Sequence, residues 1–129
     1  MGYLLDTNVL IDLVEGGRDF ATAHSRFDEG GFLSVISTVE LHAGAVVDGR
    51  VDPDMKRRIA EIVESFVELP FTSAEAEAYA RTIAVIGFAR RVIIDRMIAV
   101  TALTNGLTLV TANPRDFRAI PGLRVEDWS

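Results

Sequence analysis

The stretch Tyr3-Leu4-Leu5-Asp6-Thr7-Asn8-Val9-Leu10-Ile11 changes its hydrophobic period in the middle. Three apolar residues in a row end at a polar Asp-Thr-Asn triplet. Beyond it Val9, Leu10, Leu13 and Val14 recur at helical spacing, so the segment reads as strand, tight turn, helix. Outward from there the alternation repeats. Gly16-Gly17 stops the first helix, and a second runs through Phe20, Ala23 and Phe27 to Gly30-Gly31. Phe32-Leu33-Ser34-Val35 is the second strand, followed by Ser37-Thr38-Val39-Glu40 and the helical stripe Leu41, Ala45, Val46. Asp52-Pro53 is a helix cap with proline at the first position, opening a helix whose inner face is Met55, Ile59, Ile62, Val63 and Phe66. Phe66-Val67-Glu68-Leu69 is the third strand. Thr72-Ser73-Ala74-Glu75 is a capping box before a helix carrying Ala76, Tyr79, Ala80 and Ile83. Asp95 opens a further helix with Ile98, Ala99, Ala102 and Leu103 inward, closed by Asn105-Gly106. Leu107-Thr108-Leu109-Val110 is the fourth strand, Asn113-Pro114 starts a short helical turn, and Leu123-Arg124-Val125 is the fifth strand. Short apolar strands alternating with helices, with no hairpin signal between them, predict an α/β fold: a parallel sheet covered on both faces.

Composition narrows the chemistry. The chain has 129 residues, enough for one domain spanning 1–129 with a real core, and no linker, repeat or low-complexity stretch divides it. Hydrophobic residues are 49% and charged residues 25%, which argues against disorder. No apolar run approaches a bilayer span and no signal-peptide pattern precedes the first strand, so the expected address is the cytoplasm, with no membrane partner. The absence of cysteine removes disulfides, thiolate metal sites and cysteine nucleophiles. His24 and His42 each sit in a helical pattern without a matching ligand and read as surface or half-buried helix residues. The formal charge of −6 opposes sequence-independent attraction to nucleic acid. A polyanionic substrate must therefore be met by local charge or by a metal.

In open parallel sheets ligands bind beyond the carboxyl ends of the strands. Four acids are placed for that edge. Asp6 follows the first strand, Glu40 lies on the first turn of the helix after the second, Asp95 opens the helix before the fourth, and Asp116 follows the fourth. Converging carboxylates repel and are tolerated chiefly when a hard cation neutralises them, which points to Mg²⁺, with Mn²⁺ as the alternative. With no histidine base or cysteine nucleophile in place, water activated by such an ion is the natural attacking group, and phosphodiester hydrolysis is the implied reaction. Each acid also has a structural reading: Glu40 as the partner of Ser37 in a capping box, Asp6 and Asp95 as helix caps, Asp116 as a turn residue after Asn113. Thr7, Asn8, Thr111 and Asn113 either orient metal ligands or close their turns. Arg90, Arg91 and Arg96 flank Asp95, while Arg115 and Arg118 flank Asp116; they are cations for RNA phosphates or solvated helix surface. Phe117 and Trp128 read as packing residues.

Four stretches together resemble the successive motifs of PIN-domain nucleases: Tyr3 to Ile11, Ser34 to Gly44 (Ser-Val-Ile-Ser-Thr-Val-Glu-Leu-His-Ala-Gly), Asp95-Arg96-Met97-Ile98-Ala99, and Gly106 to Phe117 (Gly-Leu-Thr-Leu-Val-Thr-Ala-Asn-Pro-Arg-Asp-Phe). The tail from Ile120 to Trp128 is similar to the ending of VapC-type toxins of bacterial toxin–antitoxin pairs. The resemblance implies a three-layer α/β/α sandwich around a parallel sheet of four to five strands. It implies a magnesium-dependent endoribonuclease that inhibits translation by cutting transfer or ribosomal RNA. Asp6, Glu40, Asp95 and Asp116 fall on the family's acidic positions; at the fourth, either Asp116 or Asn113 faces the metal, and charge favours Asp116 with Asn113 in support. It also implies a VapB-like antitoxin, a toxin homodimer and a toxin–antitoxin hetero-oligomer that reaches operator DNA only through the antitoxin. The pattern departs from the family at Arg90-Arg91-Val92-Ile93-Ile94, where members carry a glycine-containing turn before the third acid.

Two other classes are tested by single residues. A receiver-type signalling domain needs an acidic pair after the first strand and a lysine after the last, but this chain has Asp6-Thr7-Asn8 and a single lysine, Lys56, too early to serve. An aspartyl phosphatase needs a second aspartate where Asn8 stands. A catalytically inactive PIN-like binding module is the remaining alternative, and intact acids at all four positions argue against it.

Overall fold

The computed structural model describes residues 2–17, 19–27 and 30–129, without the side chains of Phe20 and His24, so the reading of the His24 imidazole lies outside the described residues. Tyr3–Leu5 forms β1 and Thr7–Glu15 forms α1. Gly16 ends α1 at φ 79°, a left-handed conformation that glycine takes without Cβ strain. The chain continues through α2 (Phe20–Phe27), β2 (Gly31–Ser34), α3 (Val35–Gly44), β3 (Val46–Val47), β4 (Arg50–Val51) and α4 (Pro53–Ser65). After these come β5 (Val67–Leu69), α5 (Ser73–Ile86), a 3₁₀ turn at Arg90–Val92 and α6 (Ile93–Thr104). β6 (Thr108–Thr111), a 3₁₀ turn at Pro114–Phe117 and β7 (Val125–Asp127) complete it.

Five strands form one parallel sheet in the order β5-β2-β1-β6-β7. Successive strand residues point to opposite faces, and the sequence uses both. Leu5, Leu33 and Val110 pack with Val9, Leu10, Leu13, Phe27, Ile59 and Ile62 on the side of α1, α2 and α4. Leu4 and Leu109 pack with Ile98, Ala99 and Ala102 of α6 on the other side. The result is the α/β/α sandwich expected from the sequence. Strand order reverses around β1, so the crevice beyond the carboxyl end of β1 is where a ligand site belongs. Phe117 is buried in the second core, and the Trp128 ring lies 5.1 Å from that of Phe27, so both are packing residues.

Several local expectations are corrected. Val46 is not part of a helical stripe: Val46–Val47 and Arg50–Val51 pair as an antiparallel hairpin around Asp48-Gly49, both at positive φ. That dipeptide is a hairpin turn signal, obscured because the strands flanking it are only two residues long. The last strand lies two residues later than Leu123 to Val125. On α5, Ala76 and Ala80 are exposed, and the buried positions are Glu75, Ala78 and Thr82. The capping box is present as read, and Glu75 further accepts from the Thr104 hydroxyl at 2.9 Å, tying the start of α5 to the end of α6. Among the described residues no helix is long and apolar enough to cross a membrane.

Candidate functional site

Asp6 stands at the carboxyl end of β1 with 4% of its surface exposed. Its backbone is extended, and its carboxylate caps α1, Oδ1 accepting from the Thr7 N–H at 2.8 Å. Oδ2 accepts from the Thr111 hydroxyl at 2.8 Å. Thr111 in turn accepts from Asn8 Nδ2 at 3.3 Å and the Asn113 N–H at 3.0 Å, while Asn8 Oδ1 accepts from the Ala112 N–H at 3.2 Å. The ends of β1 and β6 are thereby stitched together around one carboxylate. The cap reading of Asp6 is correct and leaves its further lone pairs available.

The helix after β2 begins earlier than expected. Ser34, not Ser37, caps α3, its hydroxyl accepting from the Ile36 N–H at 3.0 Å. The capping box between Ser37 and Glu40 does not form, and Glu40 lies on the second turn. The Thr7 hydroxyl donates to Glu40 Oε1 at 2.6 Å and lies 2.9 Å from the Ser37 hydroxyl. A threonine has one hydroxyl proton, and an ionised carboxylate only accepts, so Ser37 supplies the second proton of this group. Ser37 is fully buried. Its spacing to Glu40 reads as a cap, which is why the sequence hides its contact with Thr7.

Asp95 is likewise not a cap. The 3₁₀ turn at Arg90–Val92 leads into α6 at Ile93, and Asp95 is the third residue, half-buried, with no capping hydrogen bond at Val92. Asp116 is exposed in the last 3₁₀ turn, where Asn113 Nδ2 donates to its Oδ2 at 2.8 Å.

Charge links the four acids. Burial raises the Asp6 carboxyl to about 6 against the hydrogen bonds from Thr111 and Thr7, and the charges of Asp95 and Glu40 push it in the same direction. Burial, then Asp116 and Glu40, raise Asp95. No cationic side chain among the described residues opposes either shift. Among the described residues no three acids or imidazoles stand close enough to hold a metal ion as they are placed. Glu40 and Asp6 lean on the hydroxyls of Thr7 and Thr111. The donor set nevertheless suits a hard divalent cation: carboxylate oxygens of one charge, partly desolvated and, among the described residues, without a cationic partner.

The arginines divide. Arg96 Nη1 donates to Gly87 O at 2.7 Å, so that side chain pins a loop. Arg90, Arg91 and Arg115 are exposed, and none forms an ion pair among the described residues. His42 is exposed near the end of α3 and belongs to no group of metal-holding side chains among the described residues.

Residues 3–123 match the PIN domain family. The chain is 38% identical to Ribonuclease VapC1 of Rickettsia felis, over 97% of this chain and 95% of that protein. It is 32% identical to the tRNA(fMet)-specific endonuclease VapC of Shigella flexneri over 98% of each. Its backbone is similar to that in the crystal structure of DNA-bound VapBC from Salmonella typhimurium, with a TM-score of 0.80 and 27% identity over 100% of this chain and 99% of that one.

Proposed function

Because the chain belongs to the PIN-domain family and to its VapC ribonucleases, we propose that it is the endoribonuclease toxin of a VapBC-type pair, hydrolysing RNA phosphodiester bonds with Mg²⁺. The observation that carries the site is Asp6, buried where the sheet order reverses and electrostatically coupled to Glu40 and Asp95. Asp6, Glu40, Asp95 and Asp116 are assigned as the ligand acids. Mg²⁺, or Mn²⁺ in its place, supplies charge neutralisation and Lewis acidity toward water and phosphate.

The chain's own residues prepare that site. Thr111 and the Thr7 N–H hold the two Asp6 oxygens in one orientation, and Asn8 and Asn113 hold Thr111. Thr7 fixes the Glu40 carboxylate, and Asn113 does the same for Asp116. Ligand groups held this way lose little freedom when they engage a cation or substrate. Arg90, Arg91 and Arg115 offer unpaired guanidinium groups to the phosphates beside these acids.

The partner is a VapB-like antitoxin, in keeping with the toxin–antitoxin complexes formed by the structural relatives, and operator DNA is reached only through it. The toxin is assigned as a homodimer. Transfer RNA is the first substrate to test, because the Shigella relative is named for it. Purified chain free of antitoxin should cut transfer RNA with Mg²⁺, stop on chelation, and lose at least roughly a hundredfold in rate as Asp6→Asn, the several kcal/mol that Lewis-acid catalysis supplies. Cleavage that survives chelation, or both Asp6→Asn and Asp95→Asn, would contradict the assignment.

A further inference from the structure

Phe88 is 60% exposed, an unusual position for a large aromatic ring. It lies in the short segment between α5 and the 3₁₀ turn that leads to Asp95. Gly87 before it is held twice: its N–H donates to Ile83 O at 2.8 Å and its carbonyl accepts from Arg96 at 2.7 Å. Arg96 directly follows Asp95, so the segment presenting Phe88 is tied to the turn of α6 that carries the third acid. After Ala89 come Arg90 and Arg91, exposed and without an ion pair or side-chain hydrogen bond among the described residues. In a chain of net charge −6, an exposed aromatic two and three residues before arginines that have no partner among the described residues is a local platform of the kind that single-stranded nucleic acid uses: π-face for a base, cations for the flanking phosphates.

We propose that Phe88 stacks an unpaired base of the RNA substrate while Arg90 and Arg91 hold the adjoining phosphates, delivering a single-stranded segment to the acids at Asp95. The inference rests on the ribonuclease reading and sharpens it. Bases inside a duplex have no free face to offer, so the platform selects loops and unpaired ends.

The test uses the purified full chain in EDTA, where cleavage does not enter, with a fluorescent oligouridylate and a paired hairpin of equal length. Wild type should bind the single strand more tightly. Phe88→Leu, which keeps an apolar side chain but removes the ring, should weaken that binding roughly tenfold, in the range found for base–aromatic stacking. Phe88→Trp should retain it, with tryptophan emission quenched by the oligonucleotide. Arg90→Gln with Arg91→Gln should weaken binding and flatten its salt dependence. No measurable binding of oligouridylate by wild type, or equal affinities for wild type and Phe88→Leu, would overturn the proposal. So would sedimentation showing that Phe88→Leu dissociates a dimer while RNA affinity is unchanged, which would give this face to a second copy of the chain. If wild type cuts RNA with Mg²⁺ and Phe88→Leu binds as wild type does, only the platform fails. If wild type cuts no RNA, the ribonuclease assignment itself fails.

Discussion

The Asp6 carboxyl titrates at about 6 in the folded chain, against 3.8 for an unperturbed aspartate. Between those values the native state keeps a proton that the unfolded state has released. The contribution of Asp6 to the stability of the metal-free protein is therefore full below the lower value, is lost as pH rises through about 6, and changes little beyond it. The loss is on the order of 3 kcal/mol, from the two-unit displacement. Asp95, raised in the same direction, adds to the slope. Urea midpoints at about pH 4.5 and about pH 7 should show the fall in wild type and a smaller one in Asp6→Asn, which cannot ionise there. A cation competes with the Asp6 proton, so affinity for Mn²⁺ should drop about tenfold for each pH unit below about 6. Thr111→Val removes the hydroxyl that favours the ionised form of Asp6, and should weaken metal binding roughly 10–100-fold while leaving the fold intact.

Two glycines separate packing from propensity among the elements. A Cβ on Gly31 in β2 would meet Phe66 Cδ1 at 2.6 Å and Phe27 O at 2.9 Å, one of them backbone. Gly31→Ala should cost roughly 1–3 kcal/mol by overpacking. Gly44 at the end of α3 has open space around it and no positive φ, so Gly44→Ala should stabilise by about 0.4–1 kcal/mol. Thermal or urea unfolding of the two variants should move in opposite directions. The strand-turn-helix at Tyr3–Ile11 was legible because its period changes at Asp6, and the caps at Asp52 and Thr72 because proline or glutamate accompanies them. The start of α3 was not, because Ser34 and Ser37 are both plausible caps and only tertiary packing puts Ser37 against Thr7. The early start of α6 was hidden by Asp95, a better capping residue in sequence than the Val92 that occupies the position. Phe88 carries no periodic signal at all; its exposure is a property of the folded chain.

The whole molecule brings acids from four separate segments to one sheet edge, at a cost to the metal-free state. A ligand that binds only the folded chain repays it: Mn²⁺ at about a hundred times its Kd should stabilise by about 2.7 kcal/mol. For a chain of this size that is a rise in Tm of roughly 10 °C, cut at least to about half in Asp6→Asn. The spacing of acids on strands and helices was legible as a shared edge, whereas their electrostatic coupling emerged only in the fold, through Asp95 and Glu40 acting on Asp6 and Asp116 and Glu40 acting on Asp95. The most direct test is calorimetric titration of the antitoxin-free chain with Mn²⁺ at about pH 7.5, alongside Asp6→Asn and Asp95→Asn. The account predicts a saturable site in wild type that weakens more than about tenfold in each variant. Undiminished binding in both variants, or no binding in wild type, would contradict it.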